Sequence, residues 1–460
     1  MKAEDRIDSP CLPYRRVQQH WTLLHDLLGG TYAMRQAGTR WLPQEPKEDS
    51  SHYAIRLERA VLFNGFKTAV DDLVDRPFAR PLTLTGELGT LEILRTDCTR
   101  TKRSLDDFAK DLLRSAAIHG VAHVLVDFPN VPDGATLAEV GGEVRPYFVL
   151  VAAPDLIGWQ FNDRMELVEV RIRLFVDEPV GAYGQQRVEK ILVYKKDAWE
   201  LHRRDEDGAK FSLESKGTHT FGGVPLVSVY LNKQEEMVAD PPLEDLAMLN
   251  LAHWQSSADQ RNALRFARIG LLCAVGFTAE EFDQGFVIGP NYVVKSVNPQ
   301  AKLSYVEHSG SAIKIGQDDL DRLERQMEVL GLQPVVERTS ESTATGKLID
   351  DSNSASSLKS WVASVNRGLS DACAYAGRWI GQETEVAVAL FDDFGVSVRA
   401  TNELDVLLKS RIAGEISRDT YLEELKRRGV LNETLDVDEE IERLGADLLP
   451  DNSGEQDALA

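Results

Sequence analysis

Residues 345–348 read Thr-Gly-Lys-Leu, in outline the end of a phosphate-cradling loop. Such a loop needs a glycine five residues before Gly346, and a Ser or Thr after the lysine whose hydroxyl binds magnesium. Those positions hold Glu341 and Leu348, so no nucleotide-driven motor is encoded. Asp393-Phe394-Gly395 spells the metal-binding tripeptide of protein kinases. The glycine-rich loop, strand lysine and upstream catalytic Asp that a kinase needs are not in place. His202-Arg203-Arg204-Asp205 lacks the spacing and the downstream Asn. Asp392-Asp393 is an adjacent carboxylate pair after an apolar run and is the best feature for an enzyme with an acidic site. Its commoner use is a solvated turn. His119 and His123 are four apart, but Gly120 and an expected strand keep them off a shared helix face. They read as core or solvated histidines. Trp21, Trp41, Trp254, Trp361 and Trp379 suit base stacking in principle. Trp361 and Trp379 fall on or beside an apolar helix face, which favours core packing. Motifs for a nucleophile elbow, a zinc-protease helix or a dinucleotide turn are absent. The expectation is a protein that is not an enzyme, with no catalytic residue, metal or cofactor.

Composition bounds the rest. The chain has 460 residues, more than one ordinary domain, with 43% hydrophobic and 27% charged residues. Lys plus Arg total 52 and Asp plus Glu 74, so the net charge is −22. That argues against a broad basic grip on nucleic acid but leaves room for DNA that slides past. The longest apolar run, residues 269–277, is far short of a membrane span, and the charged start MKAEDRID has no signal-peptide core. Cys11, Cys98, Cys273 and Cys373 lie far apart, as buried thiols of a reducing compartment do.

Periodicity supplies the elements that must position any site. Helical spacing runs from Val17 to Leu28, where Gly29-Gly30 stop it; one further helix is expected over 53–74 and another over 105–118. Residues 121–126 read as a buried strand. From about 147 to 229 the pattern is mostly β, with strands at 167–175, 189–194 and 227–231. Asp240-Pro241-Pro242 reads as a helix start, and no breaker follows until Gly270. Strands are expected at 291–295 and 302–306, and a second helix near Asp318. Residues 337–357 hold nine Ser or Thr and lie between two strong helical patterns. A long amphipathic helix then carries Leu358 to Ile380, followed by a strand at 386–391 and helices at 403–413 and 418–428. The last 28 residues have ten acids and one base, and disorder is expected beyond Pro450.

The order of these parts resembles that of tailed-bacteriophage portal proteins. The likeness is carried by "LLGGTYAMRQAGTRWLP" with "YAIRLERAVLFNGFKTAVDDLVDRPF", "HGVAHVLVDFP" and "PPLEDLAMLNLAHWQSSADQRNAL". Further on it is carried by "YVEHSGSAI", "LERQMEVLGLQPV" and "TATGKLIDDSNSASSLKSW". It spans about residues 12–445. It implies an α+β portal fold assembled as a ring, usually of twelve subunits, at one capsid vertex. The ring would be built in the host cytoplasm and kept in the virion.

On this chain the resemblance implies a mixed α/β wing at 1–239. Stem helices follow at 240–268 and 311–335, around a small α/β clip at 269–310. A tunnel loop occupies 336–356, a long helix and a strand returning to the wing 357–402, a helical crown 403–449 and an acidic tail 450–460. The implied function is a channel for DNA entry during packaging and exit during ejection. The implied partners are the terminase large subunit, a head–tail adaptor, the major capsid protein and scaffold, and double-stranded DNA without sequence preference, with no membrane. Candidate tunnel-loop residues are Arg338, Ser342, Thr343 and Lys347; candidate clip docking residues are Asn291, Lys295, Asn298 and Lys302. The alternatives are another head–tail connector component, or an enzyme using Asp392 and Asp393. A Ser/Thr-rich linker suits a loop facing a solvated pore, because hydroxyl side chains bond locally rather than pack.

Overall fold

The computed structural model describes residues 6–129, 144–205, 208, 210–269, 271–278, 298–306, 311–332, 344–392, 407–427 and 431. The chain begins with helices α1 (Leu12–Leu28), α2 (Gly30–Ala37), α3 (Ser50–Arg59) and α4 (Gly65–Asp75), then strand β1 (Thr83–Thr85), helix α5 (Leu105–His119) and strand β2 (Val121–Asp127). Strands β3 (Tyr147–Ala152), β4 (Leu156–Phe161), β5 (Leu167–Val180), β6 (Gly184–Lys195), β7 (Ala198–Arg204), β8 (Phe211–Thr218), β9 (Leu226–Tyr230), β10 (Lys233–Glu235) and β11 (Val238–Ala239) follow. After them come α6 (Glu244–Ile269), β12 (Leu271–Val275), β13 (Lys302–Val306), α7 (Ser311–Met327), α8 (Ala344–Trp379), β14 (Ala387–Ala389) and α9 (Arg418–Arg427).

Local chemistry sets several boundaries. Ser104 caps α5: its Oγ accepts from Asp107 N at 3.1 Å and donates to Asp107 Oδ2 at 2.8 Å. Gly120 ends that helix at φ +85, and a Cβ there would stand 2.3 Å from Asp240 O. The single helix expected over 53–74 is two helices. Residues 60–64 leave the helical path because side chains elsewhere bond their backbone. Arg35 donates to Ala60 O at 2.8 and 3.0 Å, and Thr31 Oγ1 accepts from Leu62 N at 3.2 Å. Asn250 Nδ2 donates to Phe63 O at 2.7 Å, and Asn64 Oδ1 then caps α4 by accepting from Lys67 N at 3.1 Å.

Two antiparallel sheets form the β portion. One is three-stranded in the order β3-β2-β9, and β2 is buried along almost its whole length, as its apolar run requires. The other is a five-stranded meander, β4 to β8 in order. The core joins α1, α4, α5 and α8 to the three-stranded sheet. Helix α8 sits hard on β9: a Cβ on Gly368 would stand 2.3 Å from Val229 Cγ2. The expected strand at 386–391 forms and returns to the N-terminal region, where β14 pairs antiparallel with β1 at Leu84↔Val388. Trp379 donates from Nε1 to Val126 O at 2.7 Å and stacks on Phe128, which bears out its core role.

Candidate stem, clip and channel segment

Helix α6 starts at Glu244, four residues later than its sequence suggests. A residue before proline is pushed out of the helical region, so Pro241, which precedes Pro242, delays the first turn. Glu244 N instead closes a turn on Pro241 O at 3.3 Å. At 26 residues α6 is roughly 39 Å long. It is not the freestanding rod its length suggests. Through residue 260 only Asp245, Met248 and Asp259 are exposed. Trp254 is fully buried, and Asn250 Oδ1 accepts from Phe66 N at 2.9 Å. Gln255 Nε2 donates to Trp41 O at 3.0 Å. The first two-thirds are therefore packed into the N-terminal helices.

Helix α7 lies on α6 through Leu320, Leu323 and Met327, the apolar face its spacing indicates. Polar groups fix the register: Gln260 Nε2 donates to Ile313 O at 2.7 Å, Ser256 Oγ to Asp319 Oδ2 at 3.3 Å, and His253 Nε2 faces Glu324 Oε1 at 3.1 Å. The α-helix stops at Met327, and a wider π turn carries the chain from Glu328 to Leu332. The opposite face of α7, with Lys314, Ile315, Gln317, Asp318, Arg322 and Arg325, is exposed.

Between the two helices, β12 and β13 pair antiparallel from Leu271↔Val306 to Val275↔Lys302. Lys302 is exposed at the end of that ladder. Asn298 has a structural task there. Its Nδ2 donates to Gly276 O at 2.8 Å and its Oδ1 accepts from Gln300 N at 2.9 Å, which holds the turn into β13. It is not a free docking group. Asn291 and Lys295 lie outside the described residues, as do Arg338, Ser342, Thr343 and Asp393. Asp392 is exposed beyond β14, and its neighbour Asp393 is outside the described residues. Among the described residues no group of three or more His, Cys, Asp or Glu is placed to hold a metal, and no helix is long and apolar enough to cross a membrane.

The expected loop over 336–356 needs correction in its second half. Helix α8 runs back to Ala344, so Lys347 is helical. Hydroxyl side chains are weak helix formers, but Ala344, Leu348 and Ala355 leave enough good ones for the long C-terminal pattern to propagate backwards.

His119 and His123 are core groups. His119 ends α5 and donates from Nδ1 to Ser115 O at 2.8 Å, while its Nε2 lies 2.8 Å from Nε2 of His25. His123, on β2, bonds Ser228 Oγ through Nδ1 at 2.8 Å. Burial pushes both rings down to about 3, so both are neutral near pH 7. Burial likewise pushes the Cys98 and Cys373 thiols up to about 12, which makes them inert packing groups.

Two features escaped sequence reasoning. Arg56, from α3, is buried beneath α6: its guanidinium takes Glu48 in a fork at 2.9 and 2.7 Å, Asp259 at 3.1 Å and Pro43 O at 2.7 Å. Beside it lies a groove also lined by Arg59, Arg261 and Arg265. The spacing of Arg261 and Arg265 by four residues on a helix was the available signal.

Residues 242–380, about the span of α6 through α8, match a domain of unknown function, DUF4055. No curated protein is significantly similar to the chain. Among solved structures, the chain is similar to one in the neck of an empty GTA particle computed with C6 symmetry, at 13% identity and a TM-score of 0.45, over 79% of this chain and 89% of that one. It is similar to one in the virion of a native gene transfer agent particle, at 12% identity and 0.43, over 86% and 92%. A third lies in the neck of a native GTA particle computed with C12 symmetry, at 11% identity and 0.44, over 85% and 97%. All three come from neck or virion structures of gene transfer agent particles.

Proposed function

We propose that the chain is a portal protein: a ring, of twelve copies, that forms the DNA channel at one capsid vertex and docks terminase and head–tail adaptor there. The observation that carries the reading is the hairpin of α6 and α7, interrupted by the β12–β13 pair and emerging from a mixed α/β body. An α/β body, the α6–α7 hairpin and the β12–β13 pair between its helices come in the order expected for wing, stem and clip, and the pairing of β14 with β1 supports the same reading. Arg261 and Ala263 on α6 and the outer face of α7 are exposed in one copy, and neighbours in a ring would cover them.

Acidity fits a conduit. Twelve copies at −22 carry −264, and such a body does not hold phosphates tightly, so DNA can slide both ways. The function is structural: purified protein should hydrolyse no ATP above background, with or without DNA. Activity that copurifies with the ring and vanishes on Asp393→Ala would move the reading to an enzyme.

The decisive measurement is mass in solution. Twelve copies of 51.2 kDa come to about 614 kDa, and images of that species should show a central hole. A stable, folded monomer at micromolar concentration across several salts would overturn the proposal.

A further inference from the structure

A shallow groove opens between α3 and the C-terminal part of α6, on the side of α6 away from Gln260 and α7. Four arginines line it. Arg56 is already neutralised by Glu48 and Asp259. Arg59 and Arg261 are exposed at the rim and have no ion pair or hydrogen bond among the described residues. Arg265 lines the same wall half-buried, one helical turn beyond Arg261 and so about 6 Å along the axis. Asn262 adds an amide from the same stretch, and Ile55 and Ala258 supply apolar lining. A chain with 22 excess acids has here gathered more cations than it matches.

We infer that this groove is an oxyanion site that takes a phosphate group, either free or carried by a phosphodiester backbone. Guanidinium forks bond carboxylate and phosphate alike, but a carboxylate offers two oxygens. Forks from Arg59 and Arg261 alone can fill the roughly four lone-pair sites of a carboxylate, and the Asn262 amide adds a further donor. A phosphate offers acceptors on several sides at once, and arginine rather than lysine suits that planar, multidentate pairing. The bland role, facing the carbonyl end of a helix where cations are favoured, fits Arg265 near the end of α6 and Arg59 at the end of α3. It does not account for Arg261, which lies about two turns before the end of α6. The inference does not depend on ring formation, because one copy supplies every lining residue.

The test titrates the purified full chain with tripolyphosphate, a 20-base-pair duplex and polyglutamate at low salt, reading binding by calorimetry. Tripolyphosphate should bind saturably and be displaced by salt. Arg59→Ala with Arg261→Ala should weaken it about tenfold or more, Arg59→Lys with Arg261→Lys should keep part of it, and Arg322→Ala, at a surface pair with Asp319, should leave it unchanged. Competition by the duplex would identify a nucleic-acid backbone as the source; tripolyphosphate binding without competition would identify a free phosphate. Equal binding by the double alanine variant, binding of polyglutamate alone, or no binding would each overturn the site. Both positions are exposed, so the melting temperature should hold; if it falls, the lysine pair carries the comparison.

Discussion

Leu246 on α6 and Gly331 after α7 approach so closely that a Cβ on Gly331 would stand 2.5 Å from Leu246 Cδ2, and 2.9 Å from the Cβ of Ala69. The missing side chain is what lets the end of the hairpin close on the N-terminal helices. Gly331→Ala should therefore overpack a buried three-way contact and destabilise the chain by about 1–3 kcal/mol. Thermal melts of the purified protein check it. A melting temperature equal to wild type would show that the turn at 328–332 gives way at no cost.

Arg56 tests the packing of α3 against α6. Its side chain is 4% exposed and its Glu48 partner 12%. Removing the arginine leaves a nearly buried carboxylate without its counter-ion, so Arg56→Met should cost about 3 kcal/mol. The Arg56 hydrogen bonds hold the Glu48 carboxyl below its ordinary range. The pair's stabilisation is then present above the unfolded carboxylate value, about 4.3, and is lost as pH falls through the lower folded value. Urea midpoints measured from pH 6 to pH 3 should fall for wild type, and fall less for Arg56→Met.

A second acid-sensitive window lies higher. His119 and His123 are held down to about 3 by burial, against an ordinary value near 6.5. Between those values the unfolded chain binds the extra proton, so stability rises with pH. It is fully present above about 6.5 and drains as pH falls towards 3. Each ring should cost about 2 kcal/mol at pH 5. His123→Leu should flatten the slope between pH 6.5 and 5 relative to wild type. An unchanged slope would mean that His123 reaches water in the folded state.

Where one short stretch decides its own structure, the sequence was legible. Val121–Asp127 and Lys302–Val306 are strands as their apolar patterns say, and the face of α7 follows from Leu320, Leu323 and Met327. Expectation failed where a distant side chain intervened. Arg35, Thr31 and Asn250 break the helix at 60–64, and none of them is within that window. Asn298 looked like a surface amide because its partner, Gly276, is across the β12–β13 pair. Of the candidate site, the hairpin was readable from length and periodicity. The arginine groove was not, since Arg59 and Arg261 meet only after α3 packs on α6.

Lys302 tests the clip as a docking surface. It is exposed opposite Val275 at the end of the ladder, so changing its charge disturbs no core contact. Reversing it together with Lys295 should weaken docking of the packaging motor while the ring keeps its mass. Pull-down of the terminase large subunit, in parallel with mass measurement, separates the two effects. Docking at wild-type strength would remove these lysines from the interface.

The segment before α8 carries the sharpest functional consequence. Pro334 lacks an N–H and crowds the turn before it, so helix cannot run smoothly from α7 into α8. Arg338 and Lys347 are the only cations of residues 336–356, against Glu337, Glu341, Asp350 and Asp351. In a ring, such sparse cations facing the axis would touch DNA weakly, since exposed and salt-screened contacts are each worth little. That suits a surface that must release DNA continually. Shortening 340–346 should leave ring mass and melting temperature nearly unchanged, because the deletion reaches only the first three residues of α8, from Ala344, and spares the packed part of α8 from Leu358 onwards. It should impair DNA packaging or its retention in the head, and Lys347→Glu should do so more mildly. Full heads that retain their genome with the shortened segment would withdraw it from the channel.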